Sequence, residues 1–124
     1  MLVYKRVERL SGPGDLILDL GAKGGSNVTE TDATVIGIDL EFSKSTENSK
    51  TQYLYADGRE LPFNDGTFDF VVVNQVIEHV DERKQLFREV RRVLKNTGNS
   101  LFSFPNRFTL NKPHGLPRVL SFLP

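Results

Sequence analysis

The 124 residues predict an α/β fold built on a parallel sheet. Three observations carry that reading. The stretches Asp15 to Leu20, Thr34 to Leu40 and Gln52 to Asp57 are short apolar or β-branched runs, and each ends at or beside an aspartate: Asp19, Asp39 and Asp57. The first run leads into a turn over Gly21, Gly24 and Gly25, the pattern of a buried parallel strand whose C-terminal end opens onto a ligand. A fourth and very hydrophobic strand, Phe68 to Val73, is followed by the best helix in the chain and then by a fifth apolar run. Such βα alternation places the three acids along one edge of the sheet, the edge where open α/β sheets bind ligands.

Taken in order, residues 1–14 put Leu2, Val3, Val7 and Leu10 on one helical face among Lys5, Arg6, Glu8 and Arg9, and Gly12-Pro13-Gly14 stops the helix. Its expected job is packing, with a lid as the alternative. Residues 26–34, SNVTETDAT, are polar, β-branched and poor in helix formers, so the first crossover helix should be short, irregular or missing. Residues 41–51 are polar again and read as a loop. Asn64-Asp65-Gly66-Thr67 signals a turn before the fourth strand. Residues 75–80 read as a loop or single turn carrying Glu78 and His79.

From Asp81 to Lys95, Leu86, Phe87, Val90, Val93 and Leu94 recur at helical spacing while Arg83, Lys84, Arg88, Arg91 and Arg92 spread over the rest. Asp81 is the expected cap and Asn96-Thr97-Gly98 the expected stop. Ser100 to Phe104 is the expected fifth strand, closed by Pro105, and residues 107–124 form a tail with two proline breaks.

Composition narrows the function classes. A chain of this length reads as one domain, with an N-terminal helix at 1–14, a core at 15–106 and the tail. Lysine plus arginine and aspartate plus glutamate both number 16, so no overall charge favours nucleic acid or an acidic membrane surface. Charge is nonetheless uneven: residues 15–66 carry about −6 and residues 99–124 about +3. The chain has no cysteine, hence no disulfide framework, no thiolate nucleophile and no cysteine-based zinc site, and no metal site is expected. No apolar run reaches the roughly 18 residues a membrane helix needs, and no signal-peptide core stands at the N-terminus. A soluble cytoplasmic protein is the expectation.

Four segments, LILDLGAKGG, VIGIDL, YADGRELPFNDGTFDFVVVNQVIEHV and REVRRVLKNTGNSLFSFPN, follow one another over about residues 16–106. Together they resemble the class I S-adenosylmethionine-dependent methyltransferases, in the branch that shares the LPF…FD-V pattern. The resemblance implies a three-layer Rossmann-like sandwich with strand order 3-2-1-4-5, S-adenosylmethionine as cofactor and a small-molecule acceptor. It implies that the turn Gly21, Ala22 to Gly25 wraps the methionine part, with Asp19 near its amino group. Asp39 would accept from both ribose hydroxyls, Leu40 would lie against the adenine, and Asp57 and the Gly58 N–H would meet the adenine edge. Asn74 and Gln75 would close the floor, and His79 is the candidate base where the acceptor must lose a proton. The acidic block agrees with a positively charged cofactor, and a carboxylate suits a ribose diol.

Two departures accompany the resemblance. Lys23 stands where the family has the middle glycine of its turn; it either pairs with the cofactor carboxylate or fills the site and repels the sulfonium. The two crossovers are shorter than the family's, and its last two strands are expected to be lacking, leaving strand 5 an edge for the tail, a second copy or a partner chain to cover. The resemblance therefore implies either a methyltransferase or a catalytically inactive protein of the same fold that serves as a partner subunit or binding module. A dinucleotide oxidoreductase fits worse, because Lys23 and Ser26 fall where G-x-G-x-x-G requires glycine.

Overall fold

A computed structural model describes residues 2–22, 25–40, 51–74 and 79–102. The chain runs α1 (Leu2–Leu10), β1 (Leu16–Leu20), β2 (Thr34–Asp39), β3 (Gln52–Tyr55), β4 (Phe68–Val73), α2 (Val80–Val93) and β5 (Leu94–Phe102). The five strands form one sheet in the order β3-β2-β1-β4-β5, all parallel. This is the expected topology, with β1 at the centre because its run of apolar residues is covered on both faces.

Side chains alternate across the sheet and so build two cores. On one face Leu18, Leu20, Ile38, Val71 and Val73 meet Leu86, Val90 and Val93 of α2. On the other Ile17, Val35, Phe70 and Val72 meet Tyr4 and Val7 of α1 together with Val28. Helix, sheet and helix make the three layers. Replacing a buried leucine such as Leu86 by alanine would cost about 2–5 kcal/mol in such a core.

Several element boundaries differ from expectation. In α1 the buried face is Tyr4 and Val7, whereas Leu10 at the helix end is 55% exposed. No helix forms over residues 25–33, as the composition of that crossover implies. β2 stops at Asp39 and β3 at Tyr55, so Asp57 lies just past its strand. Helix α2 begins at Val80 with His79, not Asp81, as N-cap, and the cap makes no side-chain hydrogen bond; Asp81 and Glu82 sit in the first turn, where acids complement the helix dipole.

The expected stop at 96–98 is instead the interior of β5, which pairs Phe68 with Leu94 and Phe70 with Asn99 across a register shift. Gly98 belongs to that bulge. A Cβ there would stand 3.0 Å from the carbonyl oxygens of Phe68 and Asp69, so the neighbouring strand leaves room only for glycine. The expected end of this strand, residues 103–104, the 41–50 loop and the 107–124 tail lie outside the described residues, as do Lys23, Gly24, Gln75 and Glu78. No helix among the described residues is long and apolar enough to cross a membrane.

Candidate functional site

Asp19 lies next to last in β1 on the α1 face and is 1% exposed. Ser26 Oγ donates to its Oδ2 at 2.5 Å, while Oδ1 is buried with no hydrogen-bond partner. Burial pushes the carboxyl pKa up to about 6, with the Ser26 bond opposing. On the same face of the sheet, burial and then the charge of Asp19 raise the phenol pKa of Tyr4 in α1, with the side chains of Asn27 and Asn74 acting the other way.

The turn after β1 is stitched to the end of β2. The N–H groups of Gly21 and Ala22 both donate to Ile38 O, at 2.8 and 3.2 Å, and Gly25 N–H donates to Ala22 O at 2.8 Å. Gly21 and Gly25 have φ of 88° and 101°, values that a side chain would strain. Beyond the turn, Ser26 N–H donates to Tyr53 Oη at 2.9 Å. To reach it the Tyr53 ring crosses over Gly37, where a Cβ would lie 2.8 Å from Cδ1 and Cε1. Gly37 is thus the gap through which β3 braces the turn.

Asp39 is half-buried at the end of β2, and its Oδ1 accepts the N–H of Leu40 at 2.7 Å. Leu40 is 60% exposed, beside that carboxylate. The end of β3 is tied in by Ala56 N–H, which donates to Asp39 O at 3.0 Å. Asp57 is engaged by Arg59: Nε donates to Oδ1 and Oδ2 at 3.0 and 3.1 Å, Nη2 donates to Oδ2 at 2.5 Å, and the Arg59 N–H donates to Oδ1 at 2.9 Å. The guanidinium holds the Asp57 carboxyl below its usual range. Arg59 Nη1 also pairs with Glu82 of α2 at 2.9 Å. Gly58 is buried between them in sequence. Asn74, exposed just past β4, donates its N–H to Leu20 O at 2.8 Å.

The sheet edge therefore brings Asp19, Gly21, Ala22, Gly25, Asp39, Leu40, Asp57, Gly58 and Asn74 to the carboxyl ends of β1 to β4. Gln75 lies outside the described residues, as does Lys23 within the turn. His79 is exposed at the start of α2, where its carbonyl accepts Arg83 N–H at 3.0 Å. Sequence reasoning did not single out Tyr4, Asn27, Tyr53 or Arg59 for this edge. Only for Arg59 was there a local signal, its place two residues after an aspartate. Among the described residues no group of three or more histidines and acids is placed to hold a metal ion.

The methyltransferase-domain family model matches residues 11–102. The malonyl-[acyl-carrier protein] O-methyltransferase of Legionella pneumophila is 31% identical over 113 residues, covering 82% of this chain and 40% of that protein. A Mycolicibacterium smegmatis protein, named a probable S-adenosylmethionine-dependent methyltransferase, is 32% identical over 123 residues, covering 94% of this chain and 48% of its own length. The chain thus spans less than half the length of these curated relatives. In fold it is similar to the crystal structure of a TehB-like SAM-dependent methyltransferase from Corynebacterium glutamicum, with a TM-score of 0.68 at 17% identity over 82% of this chain and 61% of that one. With the matched segment spanning β1 to β5 and the whole of the edge just described, this chain belongs to the methyltransferase-domain family, whose cofactor is S-adenosylmethionine.

Proposed function

We propose that this chain binds S-adenosylmethionine along the carboxyl edge of its sheet and directs methyl transfer to a small-molecule acceptor. The observation that carries the reading is Asp19: a carboxylate 1% exposed with one oxygen bare. Burying such a group is unfavourable unless a partner arrives, and a cationic ammonium is a fitting one.

The other residues of the edge suit the remaining parts of the cofactor. Gly21, Ala22 and Gly25 bring backbone close to the methionine portion without side-chain bulk. Asp39 retains acceptor capacity beyond its bond to Leu40 N–H, enough for a ribose diol. Leu40 offers an exposed apolar surface to a purine face, Asp57 and the Gly58 N–H an acceptor and a donor to its edge, and Asn74 closes the methionine end together with Gln75. When bound, the cofactor supplies a methyl group already activated by the sulfonium charge. The protein's part is then chiefly to hold the acceptor in line and exclude water. Where the acceptor must lose a proton, His79 is the base in this reading.

Calorimetric titration of the purified 124-residue chain with S-adenosylmethionine and with S-adenosylhomocysteine tests the proposal. Saturable one-to-one binding is the expected result. Absence of binding by either, for a chain shown to be folded by circular dichroism, would overturn it.

A further inference from the structure

We propose that Ser26 is the positioning residue for the cofactor's amino group: it takes one oxygen of Asp19, leaves the other for the ligand's ammonium, and is itself held from β3 by Tyr53. The inference rests on the reading above. Its geometric basis is a row across three strands. Asp19 of β1 lies opposite Gly37 of β2, and Gly37 lies opposite Tyr53 of β3. Residues opposite one another in a parallel ladder share a face, so Asp19 and Tyr53 stand on the same side of the sheet with no side chain between them. Ser26 reaches both.

Its orientation is fixed by three hydrogen bonds. The Ser26 N–H donates to Tyr53 Oη at 2.9 Å, Oγ accepts the N–H of Val28 at 3.1 Å, and the hydroxyl proton goes to Asp19 Oδ2 at 2.5 Å. A serine that merely closed the turn would need only its bond to Val28. A hydroxyl has one proton to give, hence it satisfies one carboxylate oxygen and no more. Asp19 Oδ1 stays buried without a partner. A carboxylate held by a charge-assisted bond keeps the same oxygen available, whereas an unheld one must be ordered when the ligand arrives.

The same bond bears on the proton of Asp19. Burial raises that carboxyl and the Ser26 bond opposes the rise. From α1, the phenol of Tyr4 also senses the charge of Asp19, and it stays neutral where Asp19 titrates. Removing the Ser26 hydroxyl therefore moves Asp19 further up, and an ammonium loses its carboxylate at a higher pH.

Calorimetry with two ligands from about pH 5 to about 8 tests the inference. S-adenosylhomocysteine carries the amino group; 5′-methylthioadenosine lacks the amino-acid end but keeps the ribose and adenine. In Ser26→Ala the dissociation constant for S-adenosylhomocysteine should rise about tenfold at the alkaline end, with that for 5′-methylthioadenosine held within about twofold. The pH below which S-adenosylhomocysteine affinity falls should move up by about one unit. Ser26→Thr, which keeps the hydroxyl, should restore most of both. Tyr53→Phe, which removes only the oxygen that anchors Ser26, should show the same split at smaller size and decides the matter if Ser26→Ala does not fold. Unchanged S-adenosylhomocysteine binding, equal losses for both ligands, a pH profile that stays in place, or a loss that threonine does not restore would overturn the inference alone. A wild-type chain that binds neither ligand would overturn the underlying reading with it.

Discussion

The Arg59 guanidinium closes on both carboxylate oxygens of Asp57 and reaches with its other nitrogen to Glu82, so the loop after β3 is tied to the first turn of α2. The carboxylate proposed above to accept the adenine amino group is thereby held in one orientation and kept ionised. Arg59→Ala should free that carboxylate and weaken S-adenosylhomocysteine and 5′-methylthioadenosine alike, by about threefold or more, because both carry the adenine. Calorimetry with the two ligands measures both losses. Tighter binding would instead show that the guanidinium competes with the ligand for Asp57.

Asp19 gives the chain a pH dependence of known sign. Its pKa is raised to about 6 in the fold from 3.8, so the folded state binds the proton more tightly than the unfolded state does. The stabilisation from this group is complete below about pH 4, is lost as pH rises through about 6, and stays lost above that. Asp19→Asn should match the wild type only below about pH 4, draw ahead as pH rises from there through about 6, and exceed it by about 1–3 kcal/mol at pH 8 in urea unfolding. The same substitution should abolish S-adenosylhomocysteine binding. A variant that loses stability at pH 8 would refute the burial argument.

Gly37→Ala probes the brace between β3 and the glycine turn. The new methyl carbon would meet Tyr53 Cδ1 and Cε1 at 2.8 Å and Ala22 Cβ at 3.2 Å, forcing the ring away and with it the acceptor of Ser26 N–H. A loss of about 1–3 kcal/mol is expected from such overpacking. Adding Tyr53→Leu should recover part of the loss if the two positions are coupled, and denaturant melts of the double-mutant cycle measure that coupling.

Arg92 staples the 61–65 loop to α2. It donates to Leu61 O at 3.0 Å, Phe63 O at 2.7 Å, Asp65 Oδ1 at 3.0 Å and Glu89 Oε2 at 2.6 Å, while Glu89 Oε1 accepts Leu61 N–H at 2.8 Å. Arg92→Ala should cost about 1–2 kcal/mol, and Arg92→Lys should restore only a fraction, since a single ammonium cannot serve acceptors spread around a planar fork. Thermal or urea unfolding of the two variants gives the comparison. Full rescue by lysine would mean that charge alone matters.

Much of this molecule is legible in the chain because its signals are local. β1 and β4 are apolar runs buried on both faces, and β4 falls at Phe68–Val73 as its composition predicts. The stretch 94–99 misleads for an equally physical reason. Leu94 continues the apolar spacing of α2, and Asn96-Thr97-Gly98 has the composition of a helix stop, but β4 offers a ladder that those residues join through a bulge. Tertiary pairing there overrides local preference.

What the sequence by itself determined is the parallel α/β sheet and the alignment of Asp19, Asp39 and the Asp57 segment with its carboxyl edge, since strand period and terminal acids are properties of neighbours along the chain. Only the tertiary structure decided which partners those acids take. Ser26 closes one oxygen of Asp19 and leaves the other bare, Arg59 holds Asp57, and Tyr53 of β3 crosses Gly37 to brace the glycine turn. Such meetings depend on register, on which face of the sheet each helix covers and on how a turn is braced, and side chains far apart in sequence carry no local pattern that announces them.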